Sequence, residues 1–317
     1  MSYGDGFKKR KVADDAPTLR PSRFQPTGPR EWTVSVAIPT SILSDCATPE
    51  QRINAPLRVA RALAMFSVDE VVIFDDSPAD SRPPAVDHDA YTGDTDPAHY
   101  LVHLLSYMET PPFMRKALFP LHPNLRLQGL LPTLEMPHHP HRDEQLPYME
   151  GITVAGTPAA GGDAPPGCKT LVDVGLRKPV AVREAIAPKT RAGYYWGFQI
   201  RRCDALSTVF TESPYEGGYD VSIGTSERGM PASQVFPRAA PVLDFQHLVI
   251  VLGGPRGLEY AAMNDKDLSG VGISTGNVRE VFDHWVDVLP NQGCRSIRTD
   301  EAIFVALAEL RRLWSDV

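Results

Sequence analysis

Cysteine is scarce: Cys46, Cys168, Cys203 and Cys294 lie far apart in 317 residues, and none belongs to a CxxC pair. Neither a disulfide framework nor a zinc ribbon can organise such a chain, and the pattern suits a reducing, intracellular compartment. Long apolar runs are missing too. No stretch of about 18 apolar residues occurs, so no membrane span is expected. The first residues, MSYGDGFKKRKV, hold no apolar signal-peptide core. A P-loop would need GK[ST], which is absent, and neither a GxSxG elbow nor a Cys–His nucleophile motif appears. GGPRGLE (253–259) is not GxGxxG and has no acidic partner at the right offset, which speaks against a dinucleotide site. An overall positive charge is also lacking. The formal net charge is −7, so indiscriminate polyanion binding is not expected.

What is present is an ordinary globular composition, 42% hydrophobic and 22% charged, long enough for one large or two ordinary domains. Charge is unevenly placed. Residues 74–96 hold seven Asp and one Arg, whereas 177–202 hold seven Lys or Arg against Glu184 alone. That basic stripe can bind nucleic acid despite the total, or simply be a solvated surface loop. Residues 1–30 are polar and carry Pro17, Pro21, Pro26 and Pro29 without periodicity, reading as a disordered tail. Lys8-Lys9-Arg10-Lys11-Val12 within it is a basic cluster of the nuclear-import type.

Order is expected from WTVSVAIP (32–39), an alternating β-branched strand, followed by a helix at 50–66 and a buried strand, EVVIFDD (70–76). This β-α-β opening announces a parallel α/β sheet. Helices follow at 98–108 and 111–119. Between 137 and 191 the composition turns to Pro, Gly and His, with TLVDVGL and PVAVRE as short strands, so a small β-rich insertion is expected there. The α/β pattern resumes with GYYWGFQI, read as a buried strand, the helical DALSTVF, strands at 218–224, 247–253 and 283–289, and a last helix at 299–313 started by Thr299 with Asp300 and Glu301. His138, His139 and His141 share one proline-broken loop without fixed helical spacing, so no metal site is assigned to them; His99 and His103, one helical turn apart, suit packing or surface roles.

Three late strand ends are punctuated alike: SIGTSERG (222–229), VLGGPRGLE (251–259) and PNQGCRSIRT (290–299). Ligands of parallel α/β sheets bind at the carboxyl ends of the strands, and glycines allow close backbone approach. Three such loops can enclose one ligand, although each by itself reads equally as a chain reversal.

GYYWGFQIRRCDALSTVF, GYDVSIGTSERG, LVIVLGGPRGLE and PNQGCRSIRTDEAI, in this order, resemble the SPOUT-class RNA methyltransferases of the archaeal and eukaryotic branch with an inserted OB-like barrel. VSVAIPTSIL, RVARALAMFSVDEVVIFDD and MRKALFP…GLLPTLEMPHH match that branch as well, so the resemblance spans nearly all of 32–311. It implies an α/β domain at 31–136 and 192–317 with a C-terminal trefoil knot, a reduced OB-like insertion at 137–191, a homodimer, and S-adenosylmethionine as cofactor. The insertion is shorter than a full five-stranded barrel needs. By the same resemblance the cofactor loops comprise Thr225 and Ser226; Leu252, Gly253, Gly254, Gly257 and Glu259; and Leu289, Asn291, Gly293, Ser296, Ile297 and Thr299.

Glu227 is the candidate general base, and Arg228 and Arg295 are candidates for stabilising developing negative charge or clamping phosphate; structural ion pairing is the competing role for each. Lys189, Arg191, Arg201 and Arg202 are the candidate RNA contacts, with Tyr194, Tyr195 and Trp196 available for stacking unless they are buried. The resemblance implies an RNA methyltransferase of the nucleus, and within it the nucleolus, acting on structured RNA such as ribosomal RNA, at a uridine ring nitrogen or, second, a 2′-hydroxyl. The alternatives are a non-catalytic ribosome-assembly factor and a mitotic or chromatin-associated adaptor that keep the fold as scaffold.

Overall fold

The computed structural model describes residues 28–139, 148–154, 170–176, 179–182, 188–237 and 243–314. The tail to residue 27, His141, Cys168, and Arg177, Lys178, Arg183 and Glu184 of the basic stripe lie outside the described residues.

A six-stranded parallel sheet forms the frame, in the order β6-β2-β1-β8-β7-β9. Its strands are β1 (Thr33–Pro39), β2 (Glu70–Phe74), β6 (Gln199–Cys203), β7 (Val221–Pro231), β8 (His247–Val251) and β9 (His284–Asp287). A separate antiparallel sheet joins β3 (Ile152–Val154), β4 (Thr170–Asp173) and β5 (Val180–Val182) within the expected insertion. The main helices are α1 (Pro49–Met65), α2 (Pro97–Glu109), α3 (Pro112–Leu118), α4 (Pro188–Ala192), α5 (Leu206–Thr211), α6 (Ala232–Val235), α7 (Gly257–Met263), α8 (Lys266–Gly270) and α9 (Thr299–Leu310). Among the described residues, no helix is long and apolar enough to cross a membrane.

Every residue of β1 and β2 is buried, as expected for central strands covered by helices on both faces. Successive side chains divide between the two faces. Val34, Val36 and Ile38 enter a core with Val59 and Leu63 of α1, Leu101 and Leu105 of α2, and Ile303 and Leu307 of α9. Ala37, Val72, Phe74, Val249 and Val251 meet Leu206 and Val209 of α5 and Leu258 and Ala262 of α7 on the other. The architecture is therefore helix–sheet–helix. α1 begins with a capping box: Gln51 N donates to Thr48 Oγ1 at 3.3 Å, and Thr48 N to Gln51 Oε1 at 3.3 Å.

Some expected boundaries move. GYYWGFQI is no strand before Gln199. Gly193 and Gly197 have φ of +76° and +79°, which interrupts extended pairing, while Tyr195 and Phe198 are buried. Tyr195 donates its hydroxyl to the Val68 carbonyl at 3.0 Å, so it is a core residue and not a stacking platform. Thr299 is the first helical residue of α9 rather than its cap, and the helix gives way at Arg311 to a tighter turn ending at Leu313. Leu307, Leu310 and Trp314 are buried, which shows that this last helix packs on its own chain.

The histidines of the proline-broken loop are structural neighbours. His138 Nε2 lies 2.9 Å from Glu109 Oε1, and His139 Nε2 lies 2.5 Å from the Glu109 carbonyl. Burial, reinforced by His138, pushes His139 down to about 3 although the Glu109 carbonyl favours its charged form. Its folded value thus lies below the unfolded value near 6.5, and protons bind the unfolded chain preferentially. The His139 contribution is fully present above pH 6.5 and is lost as pH falls from there toward 3. Thermal melts between pH 7 and pH 4 are expected to show a decline that His139→Gln reduces; identical slopes for the two proteins would contradict this.

Candidate active site at the strand ends

Parallel strands deliver their carboxyl ends to one edge of the sheet, so the ends of β1, β2, β7, β8 and β9 converge there. Side-chain bonds to backbone tie them together. Thr225 Oγ1 at the end of the first β7 ladder donates to the Val251 carbonyl of β8 at 3.2 Å. Thr299 Oγ1, where the third loop enters α9, donates to the Gly253 carbonyl at 3.0 Å. The three loops singled out in the sequence are thus joined into one structure by two residues predicted to belong to it.

Glycine is needed along the second loop for two reasons. Gly257 N donates to the Gly254 carbonyl at 2.9 Å, closing a tight turn in which Gly257 takes φ +75°. A Cβ on Gly254 would lie 2.0 Å from Ser41 Oγ, so the loop rests directly on the end of β1. Leu252 is buried and contributes backbone rather than a side-chain wall. In the third loop, Gly293 has open space around its Cβ position. The amides of Gly293, Ser296 and Ile297 have no acceptor among the described residues. Leu289 is 41% exposed beside them, and Asn291 holds φ +59° in the turn.

Beneath the second loop lies a support that the motif reading missed. Asp76 accepts from Ser41 N at 3.1 Å, Ser41 Oγ at 2.5 Å and Thr40 Oγ1 at 3.2 Å. Burial raises its pKa, while the bonds from Ser41 and Thr40 favour the ionised carboxylate. The signal was legible in kind: PTS after β1 and DD after β2 are also polar residues at the ends of buried strands.

The first loop is an excursion of β7. Pairing with β9 runs from Ile223↔His284 to Thr225↔Val286, then resumes at Met230↔Val286, so residues 226–229 bulge out. A Cβ on Gly229 would lie 2.5 Å from Val286 C, which makes glycine the residue that lets the bulge return. Glu227 and Arg228 stand on its crest, 69% and 71% exposed. Arg228 Nη1 reaches Glu259 Oε1 of α7 at 3.1 Å, and its Nε lies 3.9 Å from Glu227 Oε1. Arg295 is exposed and has no ion pair among the described residues.

A model of the family described as "Putative RNA methyltransferase" matches residues 33–192 and 184–310. The chain belongs to this RNA methyltransferase family. It is 34% identical over 334 residues to the human protein named 28S rRNA (uridine-N(3))-methyltransferase, covering 96% of this chain and 83% of that one. The mouse protein of that name is 35% identical over 89% of this chain and 77% of its own. A solved structure of the SpoU methyltransferase AviRb from Streptomyces viridochromogenes matches at 11% identity and a TM-score of 0.31, covering 95% of this chain and 62% of that one, and bears no weight here.

Of the four cations assigned to RNA in the sequence, the methyltransferase uses three within its own structure. Arg201 Nε pairs with the buried Glu70 at 2.9 Å, and its Nη2 donates to the Val209 carbonyl at 2.9 Å. Lys189 Nζ lies 2.9 Å from Asp69, which also pairs with Arg30. Arg202 Nη1 holds Asp96, the cap of α2, at 2.7 Å but stays 44% exposed. Arg191 alone of the four is exposed without an ion pair among the described residues. The charge stripe was visible in the sequence; the pairing of Lys189, Arg201 and Arg202 with Asp69, Glu70 and Asp96 was not.

Proposed function

We propose that the three loops hold S-adenosylmethionine and that the protein methylates N3 of a uridine in large-subunit ribosomal RNA. The observation that carries this reading is the pair of bonds Thr225–Val251 and Thr299–Gly253, which gathers three strand ends around side-chain-free positions. The names of the human and mouse relatives support the base and the RNA. The residues present fit such a cofactor: the Gly253–Gly257 turn brings backbone close, the amides of Gly293, Ser296 and Ile297 can donate, and Leu289 offers apolar surface to a ring. When bound, the cofactor supplies an electrophilic methyl group on a sulfonium.

The chain must orient the base and keep competing water away. A ring nitrogen that carries a proton must lose it, and Glu227 is the carboxylate assigned to accept it. Arg228 and Arg295 counter the negative charge that develops on the base or clamp its phosphate. Arg228 is free to turn toward RNA at small cost because its pairs with Glu227 and Glu259 are solvent-exposed on its side. Arg191 and the exposed half of Arg202 supply phosphate contacts.

The remaining parts of the proposal rest on the family resemblance. The segment between β9 and α9 is read as the threaded part of a trefoil knot, a reading that the Thr299–Gly253 bond supports. Two copies assemble, and the Lys8–Val12 cluster directs nuclear entry. The test of function is transfer of tritiated methyl to large-subunit RNA followed by digestion to nucleosides. Label in 3-methyluridine is expected; label in a 2′-O-methyl nucleoside would overturn the acceptor, and no label would favour the scaffold alternative.

A further inference from the structure

We propose that a groove between α2, α3 and the segment that follows binds a single-stranded stretch of the RNA substrate, away from the methylation loops. The proposal rests on the RNA-methyltransferase reading but uses different residues. The groove has a volume of about 700 Å³ and is lined by Tyr107, Arg115, Lys116, Phe119, Arg126 and several prolines and leucines. No carboxylate lines it, although the chain as a whole is acidic.

Its chemistry comes in two parts. The first is a fixed aromatic floor. Phe119 stacks on His103 with centroids 5.9 Å apart and meets Tyr107 edge-on at 5.4 Å. The Arg115 guanidinium lies 4.7 Å from the Tyr107 ring centre and donates to the Thr110 and Met108 carbonyls at 2.9 and 3.0 Å, so it is a cation held in place. The second is a pair of unpartnered charges: Lys116 and Arg126 are exposed and make no ion pair among the described residues. Leu121 is 99% exposed at the same place, an apolar surface set beside these cations.

Flat rings with unpaired cations and no acid suit a ligand made of aromatic faces joined by anions, which describes single-stranded nucleic acid. An acidic peptide is the rival. No strand borders the groove for a peptide to extend, and its apolar surface is broken by Pro112, Pro120 and Pro123 rather than forming a continuous seat for a helix. RNA is the occupant the geometry favours.

The experiment is fluorescence anisotropy with labelled dodecauridylate, comparing the full chain with the double variant Lys116→Glu/Arg126→Glu across a salt series. Losing two phosphate contacts is expected to weaken binding at least about tenfold and to make the slope of log K against log salt shallower by about 1.4. Tyr107→Ala is expected to weaken binding while leaving that slope unchanged. Both variants should bind S-adenosylhomocysteine as the parent does, and the double variant, which alters only exposed side chains, should melt at a similar temperature. Unchanged RNA affinity and slope in the double variant would overturn the groove assignment. So would no binding of dodecauridylate to the parent, or loss in the double variant of binding to a labelled Glu/Leu peptide alone. Failure of the parent to bind S-adenosylhomocysteine would instead count against the cofactor loops, leaving the salt series to decide the groove.

Discussion

Replacing Gly257 by valine is expected to reduce methyl transfer to background while the chain stays folded. Gly257 takes φ +75° at the close of the Gly254–Gly257 turn, a region a β-branched residue resists at a cost of about 1–3 kcal/mol. The nearest obstacle to its Cβ is Glu259 Oε2 at 2.4 Å, the far end of a side chain that can swing aside. The fold therefore survives, but the added methyls and any relaxation of the turn occupy the space where backbone must approach the cofactor. Methylation assays with matched melting curves check this. Normal transfer by Gly257→Val would place the cofactor elsewhere.

The second large effect concerns stability. Arg201→Ala should destabilise the protein by about 3–5 kcal/mol, because it strands a carboxylate in the sheet. Glu70 is 2% exposed and would keep only Ser35 Oγ at 2.7 Å and the Tyr219 hydroxyl at 2.5 Å. Arg202→Ala, next in sequence, removes a guanidinium that is 44% exposed and should cost far less. Denaturant unfolding of the two variants separates them. Equal and small losses would mean that Arg201 is a surface cation after all, available to RNA as the charge stripe first suggested.

These two residues show what the sequence could and could not reveal. The run of positive charge was legible, yet it did not indicate which arginine faces Glu70, because the partner lies 131 positions away in the chain. Strands β2 and β8 were easy to place since burial on both faces leaves nearly continuous apolar runs, and β1 because its β-branched residues alternate. The bulge in β7 was not: TSERG has the composition of a loop, and only the return of Met230 to Val286 makes it an interruption within one strand. Residues 193–198 failed as a strand for the opposite reason, since apolar residues there hid Gly193 and Gly197 at positive φ.

The three candidate loops were legible as glycines and hydroxyls at strand ends, and their individual cofactor positions came from the family resemblance. Thr225 and Thr299 then serve a purpose the motifs did not disclose, fastening one loop to the next. Asp76 was legible only in kind, as a polar residue at a strand end, because it looks like one of seven acids in a charged segment. Its three bonds to Thr40 and Ser41 make it the support on which Gly254 rests.

The most direct test of the account is calorimetric titration of the full-length protein with S-adenosylhomocysteine, repeated on Gly293→Val. Gly293 has nothing within 4 Å of its Cβ position, so the substitution leaves the packing intact and adds a side chain to the loop assigned to the ligand. Saturable binding by the parent, lost or greatly weakened in Gly293→Val at unchanged melting temperature, is the predicted result. Equal binding by both proteins would contradict the three-loop site.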